Sequence, residues 1–177
     1  MLEYDLAHWM TFLAAALLLN VSPGPDIAFI LGKAITGGAH TGLLAMLGIW
    51  GGTMIHVVLA TAGLSAVLAT SAAAFTIVKW VGAAYLVWLG IQALRSKGGS
   101  FLSETGAPRS ASAWKTFRQG VLVSSHNPKV AVFFLAFLPQ FVVVGAGPVG
   151  VQLAFHGVLI IAVAALIEPH SFSWLTV

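Results

Sequence analysis

The stretch NVSPGPD, residues 20–26, interrupts an apolar run that otherwise extends over residues 6–31. Two prolines, a glycine and a carboxylate sit where a spanning helix would ordinarily continue. Proline has no amide proton and its ring clashes with the preceding turn, so such a break frees backbone polar groups. Hydrocarbon offers those groups no partner, and they must face protein or a wet cavity. Ser22 can act as an N-cap with Pro23 at the first helical position, which would aim amide donors and the positive end of a helix dipole inward, where an anion can bind. Asp26, inside the run, requires a partner for its charge.

The surrounding chain shows why a break here carries weight. Only 7% of the 177 residues are charged and 59% are hydrophobic, whereas an average soluble domain carries about 25% charged residues. The chain reads as an all-α, polytopic membrane helix bundle. Apolar runs of the length a spanning helix needs, about 20 residues, fall at residues 6–31, 41–68, 74–94, 117–144 and 151–167, which makes five spans. Residues 34–78 hold no Asp, Glu, Lys or Arg, too long a stretch for one crossing at about 1.5 Å per residue, so turns are expected at residues 32–40 and near Thr70 and Ser71. Glu3 and Asp5 replace the positive start of a secretory signal, so the first run is expected to be retained as a span.

A single transmembrane domain over residues 1–177 is expected, with one half at residues 6–95, a loop at 96–116 and an incomplete second half at 117–177. The loop is rich in Ser and Gly and lacks apolar periodicity. Arg95, Lys97, Arg109, Lys115 and Arg118, five of the eight basic residues, lie in it or at its edges. Basic loops stay in the cytoplasm. That places the loop inside and the N-terminus outside, with Lys79 an exception on the outer side.

Setting VSPGPDIAFIL (residues 21–31) over SSHNPKVAVFF (residues 124–134) pairs Ser22 with Ser125, Pro25 with Pro128 and Ala28 with Ala131, and sets Asp26 over Lys129. A three-span unit repeated once is inverted in its second copy. Many secondary transporters are built this way, with sites where Gly/Pro-interrupted helices meet near the midplane. Asn127 can cap the second break with Pro128 at the first helical position. Lys129 is unfavourable beside a positive helix end unless something negative compensates it; Asp26 and a substrate carboxylate are the two candidates.

SPGP followed downstream by HNPK, with a basic loop between them and FFLAFLPQF at residues 133–141, resembles the LysE/RhtB superfamily of amino acid exporters over residues 6–169. The resemblance implies an inner-membrane, multi-pass secondary carrier that exports amino acids or their derivatives, using the proton gradient. It carries Ser22, Pro23, Gly24, Pro25, Asn127, Pro128 and Lys129 over as substrate-binding or coupling residues. Asp26 joins them through its intramembrane carboxylate, Asn20 as the first residue of the same break, and His126 as a proton shuttle beside the second. Members of that superfamily usually carry a sixth span, so the inverted three-plus-three repeat reads as lacking its last helix. A heavy-metal cation exporter of the same superfamily and a truncated, non-transporting membrane protein are the alternatives.

Other features point away from catalysis. The chain has no cysteine, which excludes thiolate nucleophiles and thiolate metal sites. No HExxH, complete GxxxxGK or GxSxG is present. An enzyme, a cofactor, a bound metal and a nucleic-acid partner are not expected; the partners are a small amino acid substrate and membrane lipid. His56 and His156 read as hydrogen-bonded packing residues, with proton shuttling as the alternative, and Trp50 reads as packing, with lining a cavity as the alternative. Gly38-x-x-x-Gly42 and Gly48-x-x-x-Gly52 read as close helix packing, with a homodimer contact as the alternative.

Overall fold

The computed structural model describes residues 4–95 and 112–169, and every regular element among them is helical. The expected loop lies outside the described residues over 96–111, as do residues 170–177 and the side chain of Lys79. Helix α1 is Leu6–Val21, opened by Asp5, whose side chain accepts from the His8 amide. Its 16 residues span about 24 Å, short of the roughly 30 Å hydrocarbon core. Helix α2, Pro25–Thr70, is 46 residues long and contains a non-helical Gly38 with φ 77°.

That glycine turns the chain. A Cβ added to Gly42 would lie 2.8 Å from the Cβ of Ala34, although residues eight apart in a straight helix stand about 12 Å apart. The two arms, residues 25–37 and 39–70, therefore fold sharply back at the turn expected between residues 32 and 40. Gly38 supplies the positive φ that other residues resist. It is a turn residue and not the packing contact expected of it.

Helix α3, Ala72–Arg95, starts at Ser71, whose hydroxyl accepts from the Ala74 amide. Helix α4, Ala113–Ser125, is followed by α5, Pro128–Val132, a π turn at Phe133–Phe137 and a 3-10 turn at Leu138–Phe141. The two stretches Ala113–Ser125 and Pro128–Phe141 bend by 49° at the break and together are apolar enough for one span. Val149–Ile167, helix α6, passes that test alone, as does Pro25–Ala66 when taken as one helix across the Gly38 turn.

Phe12, Ala16, Leu64, Phe134, Leu153 and Ile160 form the buried centre between α1, α2, the π turn and α6. Large apolar side chains such as Leu18, Val58 and Leu166 remain exposed on the outside, as a lipid-facing surface requires. The second arm of α2 and α4 approach backbone to backbone. A Cβ on Gly48 would run into the Phe117 carbonyl, and one on Gly120 would stand 2.9 Å from the Gly48 Cα. Gly48→Val is expected to lower stability by about 1–3 kcal/mol through overpacking. Gly63→Ala, where nothing lies within 4 Å, should be neutral or slightly stabilising. Thermal unfolding in detergent reads both.

Candidate functional site

Each break takes the helical donor from a carbonyl deep in the preceding helix, because the residue four positions on is a proline. Leu19 would bond the amide of residue 23, and Ser124 that of residue 128; both are prolines. Lys129 Nζ donates to the Leu19 carbonyl at 3.1 Å and to the Ser22 carbonyl at 2.9 Å. His56 Nε2 sits 3.0 Å from the Ser124 carbonyl, which also accepts from the Asn127 amide. The two breaks thus face each other. Lys129 lies against the negative end of the α1 dipole, a favourable place for a cation. Gly24 makes room for it: a Cβ there would stand 3.1 Å from the ammonium.

The caps differ in one respect from the pattern expected. Asn127 caps α5 with its side chain, accepting from the Lys129 amide at 3.0 Å, and Pro128 opens that helix. Ser22 instead closes α1, its amide bonding the Leu18 carbonyl, and Pro25 rather than Pro23 opens α2. The reason is local: two prolines one residue apart leave Gly24 as the flexible link, and its carbonyl takes the first helical bond from Ala28.

Asp26 is buried at 7% exposure and faces Asn127, Lys129 and His56. Lys129 gives two of its three N–H donors to the two carbonyls. Asp26 Oδ1 and Asn127 Nδ2 are both buried and make no hydrogen bond of ordinary length, although the Asn127 side chain approaches the Asp26 carboxylate. Leaving such groups unsatisfied costs about 1–3 kcal/mol each. Asp26 borders a cavity of about 30 Å³, lined with it by Asn20, Trp50, Thr53, Lys129 and Glu168 among apolar neighbours, room for a water or two. Asn20 reaches across from α1, donating to its own Ala16 carbonyl and, at 3.4 Å, to Ile160 of α6.

Not every expected residue reaches this cavity. His126 is exposed, its ring turned back to Leu122 and Ser125. Pro23, Pro25 and Pro128 are exposed and act through the backbone they break. Residues the sequence reading passed over do reach it. Glu168, buried at the end of α6, accepts from Trp50 Nε1 at 2.8 Å, so Trp50 is a polar contact as well as packing. A carboxylate at the negative end of its own helix is locally unfavourable, which is a signal in itself. Thr53 bonds Ser124 at 3.1 Å; with Ile49 and His56 it lies at the i, i+4, i+7 spacing of one helix face. Among the described residues no group of three or more His, Asp or Glu could hold a metal ion.

The LysE type translocator family matches residues 17–176. The chain is 37% identical over 138 residues to an uncharacterized membrane protein of Vibrio cholerae, covering 78% of this chain and 66% of that one. It is 36% identical over 134 residues to the homoserine/homoserine lactone efflux protein of Salmonella typhimurium, covering 76% and 64%. Over 154 residues it is 34% identical to the leucine efflux protein of Salmonella choleraesuis, covering 85% and 70%. It therefore spans about two thirds of the length of these relatives. No solved structure matches. The cover of 160 residues by one family, with both proline breaks inside it, identifies this membrane protein: it belongs to the LysE type translocator family.

Proposed function

We propose that the chain exports an amino acid or a close derivative from the cytoplasm across the inner membrane, driven by the proton gradient. The observation that carries this is a cavity holding both signs of charge, Asp26 and Glu168 against Lys129, at the meeting of two broken helices. A zwitterion needs both. Its ammonium would lie between the two carboxylates, and its carboxylate would meet the Lys129 ammonium, which has a third N–H beyond the two it gives to carbonyls. The efflux activities named for the Salmonella relatives fit the same substrate class.

A cavity of about 30 Å³ is smaller than any amino acid, so loading requires the helices to part. In the reading favoured here the two halves form an inverted repeat and rock against each other, with the N-terminus outside and residues 96–116 in the cytoplasm. The ten residues expected from the sequence act unequally: Asn20, Asp26 and Lys129 line the cavity, Ser22, Pro23, Gly24, Pro25, Asn127 and Pro128 shape it, and His126 stands apart.

Purified protein in vesicles loaded with a panel that includes leucine and homoserine should release at least one of them faster when the outside is acidified, and a protonophore should remove the acceleration. Release of no amino acid, or transport of a divalent metal in its place, would sink the proposal.

A further inference from the structure

At the other end of the bundle from Lys129, His8 Nε2 stands 2.8 Å from His156 Nε2. The second ring nitrogen of His156 lies 2.8 Å from the Gln152 carbonyl. A carbonyl only accepts, so His156 carries its proton on Nδ1 and offers a bare Nε2 to the N–H of His8. The support beneath is fully paired. Gln152, completely buried, donates to the carbonyls of Val143 and Gly147 and accepts from the Val143 amide and the Tyr4 hydroxyl.

Aromatic faces surround the two rings. Tyr4 stacks on His8 at 4.3 Å and 16°, and Trp9 lies near-parallel to His156 at 5.8 Å and 19°. Phe141 is stacked on His156 at 6.0 Å. Ring faces at such distances stabilise a cation. We propose that His8 and His156 form a proton-binding site of the carrier, holding one proton between two helices.

The geometry sets the capacity. A proton arriving at His8 Nδ1 makes an imidazolium that still donates through Nε2, and the bond between the rings becomes charge-assisted and stronger. A second proton would have to enter at His156 Nε2. Two N–H groups would then point at each other between two cations, and the tie between α1 and α6 would break. The titratable groups facing the pair are Tyr4 and Asp5, both at the start of α1; α6 and the Leu138–Phe141 turn present only Gln152, Phe155 and Phe141 among the described residues.

Glu168 follows His156 by twelve residues on α6, about 18 Å along the axis. Phe12, Ala16 and Leu19 of α1 and Ile160 and Ala164 of α6 fill the space between and are all at most 9% exposed. A proton held by the pair cannot reach the central cavity by a chain of polar groups through that packing. It acts on the carrier by setting how tightly α1 is held to α6. The role in coupling rests on the exporter reading above; the proton-binding site itself does not.

Two measurements separate these. In the chain labelled with ¹⁵N-histidine in lipid nanodiscs, with resonances assigned through His8→Gln and His156→Gln, His156 should show the Nδ1–H form at alkaline pH. On acidification both rings should then shift together in a single one-proton step. Two independent titrations, or none, would overturn the site whether or not anything is transported. In vesicles, His8→Gln should shrink the change of efflux rate across the pair's titration at least fivefold, flattening the pH profile. An unchanged pH profile would overturn the coupling role. Absence of amino acid export by the native chain would overturn the exporter reading, with the spectra still deciding the site.

Discussion

Lys129→Met should reduce export by at least about 30-fold. The native ammonium is the donor for two carbonyls that the first break leaves open, Leu19 and Ser22. Methionine is one atom shorter than the lysine side chain and supplies no donor, so both oxygens would be left unpaired at about 1–3 kcal/mol each. A total of about 2–6 kcal/mol corresponds to roughly 30-fold or more at 1.4 kcal/mol per tenfold. The charge that complements Asp26 and Glu168 would be lost with it. Gly24→Ala is the companion variant: it keeps the charge and presses a methyl group to about 3.1 Å from the ammonium. An intermediate loss is expected there, because a flexible lysine end can move by a few tenths of an ångström. Efflux rates from vesicles, set beside melting temperatures, distinguish lost function from lost folding. Native-rate export by Lys129→Met would remove the lysine from the site.

Asp26→Asn and Glu168→Gln should each weaken export by about 10- to 100-fold, the value of one hydrogen bond to a charged partner at about 1.5–3 kcal/mol. Their combination is the sharper measurement. If both carboxylates hold the same substrate ammonium, removing the second after the first costs less, and the double-variant cycle should show an interaction of about 1 kcal/mol or more. Strict additivity would mean that the two carboxylates serve separate steps. The expected loss should appear mainly in the substrate concentration needed for half-maximal efflux, since the ammonium is present before and during translocation.

Much of the fold is legible in residue order. The charge-free length over residues 34–78 requires a turn, and Gly38 makes it where the sequence reading expects one. Ser71, at the second expected turn, caps α3. The proline breaks are equally legible, because a proline lacks its amide proton whatever surrounds it. Asn127 could be read as a cap because its side chain, its neighbour Pro128 and the start of α5 are adjacent in the chain. The same reading of Ser22 failed, since a second proline two residues on moved the start of α2 from Pro23 to Pro25.

Partners across the bundle were not legible. Local chemistry dictates that Leu19 and Ser124 lose their helical donors; it does not dictate that a lysine 110 positions from the first and a histidine 68 positions from the second replace them. Glu168 reads in sequence as the boundary of an apolar run, and only the course of α6 past the second arm of α2 brings it to Trp50. His126 sits beside a break and so looked suited to proton transfer, yet a residue next to a helix end can point either way, and here it points outward. Covalent structure fixes where the backbone must find a new donor, because valence and ring closure act within a few bonds. Which side chain supplies it depends on how helices far apart in sequence pack, because a hydrogen bond reaches only about 3 Å.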